Sequence, residues 1–107
     1  MASYENIDLI MLKKSFVFVR EVWVWPGVVG WHFVTLPKKL SGEIKKTSKH
    51  YGSGFVKVKV TIGKSSWVTA LFPHKESGSY LLSIKKNIRK REEVFEGDRV
   101  KVSFNLI

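Results

Sequence analysis

Residues 55–72, FVKVKVTI-GK-SSWVTALF, constrain the fold more than any other stretch. Val56, Val58, Val60 and Ile62 alternate with Lys57, Lys59 and Thr61, the period of a strand with one dry and one wet face. Gly63 comes first in a two-residue loop, the position where a type II′ turn favours glycine. The pattern predicts a hairpin with Ile62 opposite Ser65, Val60 opposite Trp67 and Val58 opposite Thr69. Directly opposed residues share a face. Trp67 therefore belongs with the valines. Lys57 and Lys59, opposite Ala70 and Val68, keep the outer face without it.

The remaining elements follow from the same periodicities. SFVFVREVWVW (15–25) is β-branched and aromatic, with Phe16, Phe18, Val22 and Val24 on one face and Val17, Val19, Trp23 and Trp25 on the other. Two apolar faces predict a strand covered on both sides, in the middle of a sheet or at a barrel crossing. After the turn PGVVG, WHFVTL (31–36) is a second strand. Pro37 suits a first helical turn, and a helix over 37–50 puts Leu40 and Ile44 on one face. PHKESGS (73–79) reads as a loop and YLLSI (80–84) as a short strand. KKNIRKR (85–91) is a basic helical turn or two, with Ile84 and Ile88 as its dry stripe. EGD (96–98) turns the chain into RVKVSFNLI (99–107), with Val100, Val102, Phe104 and Leu106 facing in. The order predicts a mainly β domain over 15–107: a small closed or nearly closed six-stranded β-barrel with two short helices, like a double-split barrel. Residues 1–14 form an N-terminal extension.

Function is less sharply marked. The chain has 107 residues, no cysteine and a formal net charge of +10. Disulfides and cysteine-based zinc sites are excluded, which fits a reducing compartment. No apolar run reaches membrane-span length and no basic-then-apolar leader opens the chain, so the expectation is a cytoplasmic protein, monomeric or a small homo-oligomer. No Gly-x-Ser-x-Gly elbow, Walker loop or dinucleotide fingerprint is present. His32, His50 and His74 have no partners at metal spacing, and Asp98 reads as a turn residue. The expectation is a non-enzymatic binding module without metal or cofactor.

Two surfaces could bind. The excess positive charge favours nucleic acid or another polyanion. The candidate contacts are Lys57, Lys59, Arg99 and Lys101 on the sheet and Lys85 and Arg89 on the second helix. Four phosphate contacts would give a log–log salt slope of about −3 to −4. The other reading is a small-ligand pocket bounded by Trp23, Trp25 and Trp31, with Glu21 as a carboxylate on a predicted apolar face. A solvated sheet and an aromatic core filler are the plainer readings of the same residues.

GWHFVTLP (30–37), TIGKSSWVTALFP (61–73), YLLSIKKNIRK (80–90) and EGDRVKV (96–102), in this order and spacing, resemble the DUF1905 family of small domains of unknown function. The resemblance implies a small β-barrel with two short helices and no established activity. Leu82-Ser83 stands where the family usually reads Leu-Pro; a serine there could cap the second helix in place of the proline. A more distant similarity, to AbrB-type swapped-hairpin barrels, is one of fold only.

Overall fold

The chain runs β1 (Ser15–Glu21), β2 (Trp23–Val24), β3 (His32–Thr35), α1 (Lys38–Thr47), β4 (Val56–Ile62), β5 (Ser65–His74), β6 (Ser79–Ser83), α2 (Lys86–Glu92) and β7 (Arg99–Leu106). The computed structural model describes residues 15–47 and 54–107. The extension 1–14 and His50 lie outside the described residues. The β4–β5 hairpin has the predicted register, with Ile62 opposite Ser65, Val60 opposite Trp67 and Val58 opposite Thr69. Gly63 has φ +58°. Lys64 does not share the positive φ, as a type II′ loop requires. Trp67 accordingly packs against the valine side, half-buried, with its Nε1 lacking an acceptor among the described residues.

The sheet differs from the expected barrel. It has seven strands in the order β1-β7-β4-β5-β6-β3-β2 and curls into an open half-barrel rather than closing with six. The long apolar run 15–25 is also not a central strand. It breaks at Val22, and its two halves supply the two opposite edges of the sheet. The physical reason is a change of partner. Before Val22 the chain pairs with β7, and after it with β3. Val22 itself is tied to the Gly97-Asp98 turn, its N–H donating to the Asp98 carbonyl at 2.8 Å and its carbonyl accepting from Gly97 N–H at 2.8 Å. Asp98 is a turn residue as expected, its carboxylate accepting from Phe95 N–H at 2.9 Å. On the outward side of β1, Val17 is 57% and Val19 45% exposed, not covered as the sequence pattern predicts.

One face of the whole sheet lines a single core. Phe16, Phe18, Val34, Val58, Val60, Leu82, Val102 and Phe104 all point into it. α1 brings Ile44 and the half-buried Leu40 to this core, and α2 brings Ile88, as their spacing predicts. Both helices thus cover the inner face and leave the outer face uncovered. Two local expectations are corrected. β5 runs on through Pro73 and His74, which the sequence assigns to a loop, with Pro73 opposite Tyr80. Proline is tolerated there because β4 no longer flanks β5 beyond Leu71. Ser83 does not cap α2; Lys85 occupies the N-cap without a side-chain bond.

α2 is fastened to the hairpin loop by Glu92. Ser65 Oγ donates to Glu92 Oε2 at 2.5 Å and Lys64 N–H to Oε1 at 3.3 Å. A Cβ on Gly63 would displace the same carboxylate, and the positive φ is what calls for glycine here. The Ser65 hydrogen bond, above all, holds the Glu92 carboxyl below its ordinary pKa. A folded-state pKa below the unfolded one supplies stability above the unfolded value, and that stability is lost as pH falls through the folded value. Thermal unfolding is therefore expected to become easier as pH drops through the carboxylate range. Glu92→Gln should flatten that part of the Tm–pH curve. Superimposable curves for the two proteins would refute the role of this contact.

Candidate nucleic-acid interface

Strand alternation decides what the outer face carries. On β4 and the residue before it, Phe55, Lys57 and Lys59 all point outward, away from buried Val56, Val58 and Val60. Across the hairpin, Ala70 faces Lys57 and Val68 faces Lys59. Phe55, Lys57, Val68, Thr69 and Ala70 line one shallow concavity, in which the Phe55 ring is 45% exposed. The lysine comb therefore has an aromatic neighbour after all. It is Phe55, two residues before Lys57, and the i, i+2 parity already contained that signal.

The same face carries a connected run of rings. Phe55 lies 6.0 Å from Phe72, Phe72 5.5 Å from Phe33, and Phe33 6.3 Å from Trp31, measured between centroids. Trp23 and Trp25 flank Phe33 at 5.3 and 5.7 Å. Phe33 is only 4% exposed although it faces away from the main core. The surrounding rings cover it. Trp23 is fixed by its Nε1–H, which donates to Thr35 Oγ1 at 2.9 Å. His74, placed in an exposed loop by the sequence, instead ends β5 half-buried, with its ring 6.3 Å from Trp23 and 5.8 Å from Trp25.

At the far end of the run, Trp31 is 54% exposed. It lines a second concavity with Val29, His32, Lys85, Lys86 and Arg89. Arg89 holds this end in shape. Its Nη2 donates to the Gly30 carbonyl at 3.2 Å and its Nε to the Ile84 carbonyl at 3.1 Å. His32 Nδ1 lies 3.1 Å from the same Gly30 carbonyl, which can only accept, so Nδ1 carries the hydrogen. Its Nε2 is then an acceptor facing Arg89 Nη1 at 3.4 Å. Arg89, a candidate phosphate contact in the sequence reading, also clamps α2 to the Trp31 loop.

The other sequence candidates lie elsewhere. Glu21 is exposed, not on an apolar face, and stands opposite Arg99 on the β1–β7 pair. It lines a separate cavity with Arg20, Lys38 and Arg99, so it does not join the tryptophans. Lys101, opposite Val19, and Arg99 are exposed on the outer face. Lys59 pairs with Asn105, four residues from Lys101, which sets Lys101 about 14 Å further along the strand. Lys57 and Lys59 thus share a patch with Phe55, Lys85 shares one with Trp31, and Arg99 and Lys101 form neither. Phe55, Phe72, Phe33, His74 and Lys86 complete the surface; sequence reasoning passed over them as candidates. Among the described residues, no three histidine, cysteine, aspartate or glutamate side chains gather to hold a metal ion.

The family model for a domain of unknown function, DUF1905, matches residues 18–104. The chain belongs to the DUF1905 family. The match spans the sheet from within β1 to within β7 and both helices, so this surface is built on the DUF1905 fold. It lends no support to the more distant AbrB-type likeness. No curated protein matches the chain. No helix among the described residues of this DUF1905 domain is long and apolar enough to cross a membrane.

Proposed function

We propose that this DUF1905 domain is a non-catalytic module that binds nucleic acid through the outer face of its sheet. The observation that carries the reading is the grouping of Phe55 with Lys57 in one apolar concavity, with Lys59 next along the same outward strand face. Exposed rings beside cations on a sheet suit nucleic acid, because a ring stacks a base while lysines neutralise the flanking phosphates. The net charge of +10 supports it through long-range attraction. The alternative, a small-ligand pocket walled by Trp23, Trp25 and Trp31, has weaker support: those rings pack on one another and on Phe33, and Glu21 lies apart.

Fluorescence anisotropy with labelled RNA and DNA at low salt tests the reading. Binding is expected, and Phe55→Ala should weaken it by about 1–3 kcal/mol, the usual worth of one stacked base. The salt slope of that variant should match the wild type, because no cation is lost. Absence of binding to every RNA and DNA at low salt would end the proposal.

A further inference from the structure

We propose that the ligand is a single strand that crosses the sheet along the run of rings, held at both ends. This rests on the nucleic-acid reading above and specifies its substrate class. The run begins at exposed Phe55, passes Phe72 and Phe33 in centroid steps of 6.0 and 5.5 Å, and ends at exposed Trp31 after a further 6.3 Å. Each end has its own concavity, and each concavity is lined by cations without an acid: Lys57 at one, Lys85, Lys86 and Arg89 at the other. The stretch between them is aromatic, with Phe72 half-buried and Phe33 buried, and has no lysine or arginine among its rings.

That layout matches the chemistry of an unpaired strand. Bases released from a duplex stack offer their flat faces to the end rings, and their phosphates reach the lysines beside them. A duplex hides those faces and presents evenly spaced phosphates, which the aromatic middle cannot neutralise. A mononucleotide would use one end and gain nothing from the other. The Trp31 end is also prepared in advance, since Arg89 ties the Gly30 carbonyl to α2. A fixed ring loses little freedom when a base lands on it.

Two anchors joined by one strand predict a threshold in length. Labelled oligothymidylates, from dinucleotide to tetranucleotide, octamer and dodecamer, are titrated against the intact protein at low salt. Affinity is expected to rise steeply, by about tenfold or more, at the length that first spans both ends. Trp31→Ala should abolish that rise while leaving dinucleotide binding at the Phe55 end. The Lys85→Gln/Lys86→Gln double variant, altered only at exposed positions, should reduce the rise without depending on how the loop tolerates loss of a tryptophan. The matching duplex should bind more weakly than the dodecamer. A smooth dependence on length that Trp31→Ala leaves unchanged, or a duplex that binds as tightly as the strand, overturns the two-ended single-strand proposal alone. No binding by any oligonucleotide overturns the nucleic-acid reading beneath it.

Discussion

Replacing Lys57 and Lys59 together by glutamate is expected to weaken nucleic-acid binding by about 30- to 1000-fold at low salt. The estimate takes about 1 kcal/mol for each lysine beside an anionic surface, and up to as much again for each repelling carboxylate put in its place. Both residues are exposed and point away from the core, so folding should survive the change. The signature that separates this from general damage is ionic. Each phosphate contact to a single strand contributes about −0.7 to the log–log salt slope, so losing two should make the slope shallower by about 1.4. Reversal of Arg99 and Lys101, which lie along the same face but away from Phe55, should cost far less. Equal losses for the two double variants would mean that charge acts diffusely and that the concavity at Phe55 is not the contact. Circular dichroism of each variant checks that the sheet is intact.

The second large effect is on stability. Phe33→Ala is expected to destabilise the domain by about 3–5 kcal/mol, the usual cost of removing a buried phenyl ring. Phe33 is 4% exposed, yet it lies on the outer side of the sheet, under Trp23, Trp25, Trp31 and Phe72. Its loss would leave four rings around a void. For a domain of this size each kcal/mol lowers Tm by about 4–8 °C, so the fall should exceed about 12 °C. Phe33→Leu keeps most of the volume and should retain a folded protein in which tryptophan emission can be compared. A loss below about 1 kcal/mol for Phe33→Ala, within the range of an ordinary surface change, would mean that the outer layer contributes little to folding. Because the same ring joins the two ends of the proposed strand path, Phe33→Leu should also lower the gain in affinity with oligonucleotide length.

How much of this was legible in the sequence depended on how far apart the interacting residues lie. The β4–β5 register could be read directly, because a two-residue loop and a period of two leave one consistent pairing. The inward faces of β7, α1 and α2 were legible for the same local reason. The fate of 15–25 was not. Its two apolar faces suggest a doubly covered strand, and nothing in the run itself marks Val22 as the point where β7 is exchanged for β3. The clamping contacts of Arg89 were hidden in the same way: its partners, the Gly30 carbonyl and His32, are nearly sixty residues away. His74 looked like a loop residue because Pro73 discourages a strand, and only the absence of β4 beyond Leu71 permits one there.

The sequence by itself determined the alternation of each strand, the hairpin turn, the dry stripe of each helix, the basic balance and the family. All of these follow from short-range sterics and from hydrophobic periods that repeat within a few residues. The tertiary structure alone decided that the sheet has seven strands and stays open, that the run 15–25 forms both edges, and that Glu21 stands away from the tryptophans. It also decided that Phe55, Phe72, Phe33 and Trp31, drawn from three separate stretches of chain, form one run of rings on the outer face. Strand order sets which side chains become neighbours across a sheet, and that order is fixed by burying one continuous core, a property of the whole chain and of no segment in it.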